Sequence, residues 1–158
     1  MRFRLLFPAL ILLAASLSVW ALGTPPAPAI LATSAAAEIA PAKTSIYLGS
    51  VSLVVPTLTR SGAEFVSTYA ATVFPFFFFN EQGRFRIQVP DVDLGRLADG
   101  HAIDFIGQAV RDDGAGRLVQ GHAVPRGPTQ GDVKIRVFYT RRIILVFNTT
   151  YRLVGPGP

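Results

Sequence analysis

The sequence predicts an all-β domain, either an antiparallel β-sandwich of Ig-like size with about seven strands or a small barrel. Three observations carry this expectation. Between residues 44 and 154, short runs rich in β-branched and aromatic residues alternate with Gly, Pro, Asn and Asp clusters. Only one stretch, near 91–99, has helical spacing. About 110 residues without an internal repeat suit one core built from packed sheet.

Residues 1–23 read as a secretory signal peptide. Arg2 and Arg4 form a positive start, Leu5 to Ala15 is apolar, and small residues around Ala21 and Gly23 suit cleavage. The alternative is an N-terminal membrane anchor, but Leu5 to Leu22 is short for a span and contains Pro8, Ser16 and Ser18. Either way the segment is expected as a signal or anchor helix detached from the domain. Residues 24–43, rich in Ala and Pro, read as a flexible linker.

The domain is expected from 44 to 154. Ser45 to Val55 is its first predicted strand, Thr57 to Gly62 a loop, and Ala63 to Val73 the second strand. On that second strand Phe65, Ser67, Tyr69, Ala71 and Val73 share one face. Pro75 breaks it or marks an edge. Asp91 to Asp99 forms a short helical turn, with Leu94 and Leu97 three apart and Gly100 as its stop. His101 to Arg111 is a strand, Asp112 to Gly116 a turn, and Arg117 to Val124 the return strand. Pro125 to Asp132 reads as a loop. Val133 to Tyr139 and Ile143 to Leu153 finish the sheet around Thr140-Arg141-Arg142. The run Ile143 to Phe147 predicts burial on both faces. Residues 155–158 are expected as a disordered tail.

The densest feature is Val73 to Val89, which holds six phenylalanines and reads as a β-hairpin turning at Asn80–Gly83. That register sets Phe79 opposite Arg84 and Phe77 opposite Arg86. It gives a core face of Phe74, Phe76, Phe78, Phe85, Ile87 and Val89. The other face carries Phe77, Phe79, Arg84 and Arg86, an aromatic-basic surface in which guanidinium groups lie over rings. These four are the candidate binding residues.

Composition excludes several chemistries. With no cysteine there is no disulfide, thiol catalysis, Cys-ligated metal or lipoprotein anchor. The net charge of +5 falls by two, to +3, once Arg2 and Arg4 are removed with the leader. No run of basic residues tracks a nucleic-acid backbone, so none is expected as partner. His101 and His122 are predicted about 13–17 Å apart, too far to share a metal, with His122 opposite Phe105 or Ile106. No G-x-S-x-G elbow or phosphate-binding loop is present. Asp91, Asp93 and Asp99 surround the short helix without the remaining ligands of a calcium loop.

The leading functional expectation is an exported, non-catalytic binding or structural module of the bacterial cell envelope or secretome, periplasmic or extracellular. It needs no cofactor or metal. Its partner is an envelope protein, an anionic polymer or a lipid head group, reached through the hairpin or through Lys134, Arg136, Arg141, Arg142 and Arg152. Two alternatives are a carrier of an apolar ligand in a Phe-lined barrel and a hydrolase in which two or three of Asp91, Asp93, Asp99, Asp104, His101 and His122 converge in a cleft.

Overall fold

The computed structural model describes residues 36–155, which are all-β apart from a short helix. The leader lies outside the described residues. Strands β1 (Ala36–Ile39) and β2 (Ala42–Ile46) form one bent stave, and β3 (Gly49–Val54) and β4 (Leu58–Ser61) form the next. Then follow β5 (Glu64–Phe74), β6 (Glu81–Gln88), helix α1 (Asp91–Ala98), β7 (Ile103–Arg111), β8 (Gly116–Gly127), β9 (Gln130–Phe138) and β10 (Ile144–Val154). Every pairing is antiparallel, and each stave pairs with the next one in sequence. The ring closes where β1 pairs with β10 on one side and β4 on the other. The result is an up-and-down barrel of eight staves, one more than the number expected.

Closure explains most of the differences from the sequence reading. Ala36 to Ile39 fall within the expected linker, yet they form β1, because the barrel needs a stave between β10 and β4 and small alanines fit there. Ser45 to Val55 is two strands around a Tyr47-Leu48 turn rather than one. Thr57 to Gly62 is mostly β4 rather than a loop. Both bent staves change which side faces inward at a proline. Ala37 is buried before the Pro41 bend and Ala42 after it, and Val51 and Leu53 are buried before the Pro56 bend and Leu58 after it. Around Pro56 the pairing with β5 slips by one residue, and the Ser67 hydroxyl donates to the Pro56 carbonyl at 3.0 Å. Pro125 to Asp132 is also strand, turning only at Pro128-Thr129.

The interior is one apolar core. Phe65, Phe85 and Phe147 are fully buried, together with Leu58, Val119 and Ile135. Each such ring contributes about 1.5–3 kcal/mol by leaving water. Phe65, Tyr69, Ala71 and Val73 share one face as the alternation predicts, and that face points inward. Ile143 and Ile144 do not, and stand exposed at the start of β10, so the expected burial on both faces fails. Helix α1 closes one end of the barrel with Leu94 and Leu97, and stops at Gly100 with φ +82°. Asp91 lies in its first turn, paired with Arg60, rather than capping it, a place held by Pro90.

The outer wall carries Arg84, Arg86, Gln108, His122, Lys134 and Arg136 at exposed positions. Exposed Val66, Ile106, Leu118 and Val124 are interspersed among them, and the interior is apolar, unlike the polar lumen of a membrane-spanning barrel. Among the described residues, no helix is long and apolar enough to cross a membrane.

Candidate functional site

An up-and-down path sends alternate connections to opposite ends. One end carries α1, the turns at Gly62-Ala63 and Pro128-Thr129, and both termini of the described chain. The other carries the Tyr47-Leu48 turn, the β5–β6 connection, the Asp112–Ala115 turn and the Tyr139–Ile143 connection. Five of the six phenylalanines of Val73–Val89 lie at this second end.

They lie there because the predicted hairpin does not form. The observed register sets Ala71 opposite Glu81 and Ser67 opposite Phe85, so pairing ends before the Phe run. Pro75 explains this. β5 is flanked on both sides, by β3 and β6, and a residue without an N–H cannot continue a doubly paired strand. The chain instead makes a 3₁₀ turn at Phe77–Phe79, closed by Asn80 N–H donating to the Phe77 carbonyl at 3.0 Å. The Asn80 side chain, expected to begin a β-turn, accepts the Val73 N–H at 2.8 Å and ties the loop to β5.

The rings rest on one another. Phe74–Phe77 and Phe76–Phe78 meet edge to face at 5.9 Å, and Phe78–Phe79 at 4.5 Å. They remain wet: Phe74, Phe77, Phe78 and Phe79 are 59%, 58%, 78% and 52% exposed. Phe74, Phe76 and Phe78 therefore leave the expected core face, while Phe85, Ile87 and Val89 keep it. The neighbouring turn adds Tyr47 at 99% and Leu48 at 64% exposed. It adjoins the Phe loop directly, since Ser50 pairs with Phe74. On its other side comes the Tyr139–Ile143 connection, because β10 closes onto the first stave. That loop presents Arg141, Arg142 and Ile143, all exposed, and the Thr140 hydroxyl accepts the Ile143 N–H at 3.0 Å.

Of the four candidate binding residues, Phe77 and Phe79 belong to this end. Arg84 and Arg86 stand on the outer wall of β6, opposite Thr68 and Val66, not opposite the rings. Nor do they join Lys134 and Arg136, which sit on β9 beyond β7 and β8.

Just inside the same end lies a polar cluster that the sequence reading missed. Glu81 on β6 accepts from the Tyr69 hydroxyl at 3.2 Å and pairs with Arg111 and Arg117, each at 3.5 Å. Arg117 lies over the Tyr139 ring at 4.4 Å, and its buried Nε has no hydrogen-bond partner among the described residues. Arg111 also reaches Asp113 at 3.2 Å. Burial, and then the charge of Glu81, push the Tyr69 phenol above its ordinary range. Strand parity carries the signal: Ile103, Phe105 and Ala109 point inward, so Arg111 follows them. The cavity that Glu81, Tyr69 and Tyr139 help to line holds about 20 Å³, room for roughly one water.

Of the six hydrolase residues only Asp104 and His122 come together. Asp91 pairs with Arg60, Asp93 meets Arg96 at 3.7 Å, and Asp99 and His101 are exposed near the helix end. His122 lies opposite Asp104, not Phe105 or Ile106, and Nδ1 meets Oδ1 at 2.8 Å on the outer wall. The two open depressions beside His122 are lined by no serine. Among the described residues, no three His, Asp or Glu side chains are grouped to hold a metal.

Comparison with known proteins adds no family. No family model matches the chain, and no curated protein or solved structure shows significant similarity to it.

Proposed function

We propose that this chain is an exported, non-catalytic binding module of the cell envelope, and that it binds through the Phe-bearing end of its barrel. Of the two expected architectures we take the barrel, supported by the closing pairings of β1 with β10 and β4 and by the single core inside them. The observation that carries the reading is the gathering of four half-exposed phenylalanines with Tyr47 and Leu48 at one end. Large exposed apolar patches mark interaction surfaces. The interior offers no comparable site, because fully buried phenylalanines fill it. A barrel carrier of an apolar ligand needs a cavity many times larger than 20 Å³. The leader-like segment supports export, and the separation of Asp91, Asp93, Asp99 and His101 from the Asp104–His122 pair favours binding over catalysis.

Expression of the full chain in an exporting bacterial host tests the reading. Envelope and soluble fractions are compared for the wild type and for Phe77→Ser with Phe78→Ser. The wild type is expected in the envelope fraction and the double variant in the soluble fraction. Both chains keep the same leader, so a difference belongs to the barrel end. Equal retention of a folded double variant would overturn the assignment.

A further inference from the structure

We infer that the Phe-bearing end docks onto an anionic lipid bilayer, with its rings in the interface and its arginines at the head groups. This deepens the proposed function and rests on it. Three features of the end select a bilayer over a folded partner.

The first is shape. The apolar side chains stand on three adjoining loop tips, at Tyr47-Leu48, Phe74–Phe79 and Ile143-Ile144, rather than lining a groove. A rigid protein surface would have to match each tip. Lipid moves around them, and aromatic and aliphatic groups settle at the boundary between head groups and acyl chains.

The second is charge. Arg141 and Arg142 are exposed on one of these loops, beside Ile143. Arginine stems lie along apolar surface while the guanidinium stays at the polar level, the arrangement an interface favours. Arg84 is three residues along β6 from Glu81, about 10 Å from the end, which is near one screening length of an anionic surface in physiological salt. Docking end-on thus puts Phe77 and Phe79 in the apolar layer and Arg84 within reach of the surface charge. Arg86, two residues further, feels it less.

The third is the position of the acidic groups. Asp112 and Asp113 occupy the one remaining loop at this end, and Asp113 is held by Arg111. The other three loops form a continuous arc without a carboxylate. The barrel therefore meets the bilayer tilted, with the Asp112–Ala115 turn lifted away.

The chain's only tryptophan is Trp20, so a local reporter is available. The full chain carrying Trp20→Phe and Phe78→Trp is mixed with phosphatidylcholine vesicles, with and without phosphatidylglycerol, at low and high salt. The emission is expected to move to the blue only with phosphatidylglycerol, and to return at high salt. Adding Arg141→Ala and Arg142→Ala should raise the lipid needed about thirtyfold. Cosedimentation without a blue shift, the mark of attachment through the leader alone, would overturn the inference. So would equal shifts on both vesicle types, or a lipid-free dimer in which the indole is already buried. If the vesicles fail while Phe-dependent envelope retention holds, docking on lipid falls and the proposed function stands. If retention is also independent of Phe77 and Phe78, both fall.

Discussion

Replacing Glu81 with alanine is expected to destabilise the barrel by about 3 kcal/mol, read as a lower denaturant midpoint. The carboxylate is the acceptor that Tyr69, Arg111 and Arg117 share, and its side chain is 10% exposed. Without it Arg117 keeps its charge in a mostly buried position, where its Nε already lacks a partner. Arg111 is one-third exposed and has Asp113, so Arg111→Ala should cost under about 1 kcal/mol. Glu81→Gln keeps an acceptor for the phenol and should fall between the two.

The same cluster gives the fold a limit in alkali. Burial first, then Glu81, raise the Tyr69 phenol above its ordinary value, and burial raises Tyr151 as well. The folded barrel therefore favours the protonated phenols. Their contribution is complete below about pH 10, the unfolded value, and declines as pH rises towards the folded values. In Glu81→Ala the burial cause remains and the charge cause is gone, so the alkaline decline should persist but finish at a lower pH, with a smaller total loss.

Gly83→Ala should also cost about 3 kcal/mol, for a different reason. Gly83 is buried on β6 between Tyr69 and Arg111, and a Cβ there would lie 2.0 Å from the Val110 carbonyl oxygen. That oxygen belongs to the paired backbone of β7. The two strands must separate at the mouth of the barrel, next to the Glu81 cluster. Gly95→Ala in α1 provides the contrast. It meets nothing within 4 Å and sits inside a helix, so it should stabilise by about 0.5–1 kcal/mol. Two Gly→Ala changes of opposite sign in one protein separate steric conflict from backbone entropy.

Much of the fold was legible because it depends on local signals. Alternation placed Phe85, Ile87 and Val89 inside and put Phe65 and Tyr69 on one shared face, and the Asp91–Gly100 stretch has the spacing and stop of the helix found there. What escaped depends on closure. Ala36 to Ile39 have little strand propensity and are strand only because a ring needs them. The Tyr47-Leu48 turn lacks an Asn-Gly or Asp-Gly pair, so it was absorbed into a strand. At the candidate site, Phe77 and Phe79 were identified but their surroundings were not. Asn80-Glu81-Gln82-Gly83 has the composition of a turn, and Pro75, read as an interruption, in fact ended the pairing. That displacement moved Glu81 from a predicted turn into the barrel mouth.

Thiol footprinting is the most direct test of the Phe-bearing end as the contact surface, because the chain contains no cysteine. Single substitutions Phe78→Cys at that end, Thr68→Cys on the outer wall of β5 and Asp99→Cys near the helix end give three exposed reporters. Their labelling rates are measured with and without membranes from the exporting host. Labelling at position 78 is expected to slow several-fold on addition of membranes, while positions 68 and 99 keep their rates. Equal rates at all three, or protection at 68 or 99 without protection at 78, would contradict binding through the Phe-bearing end.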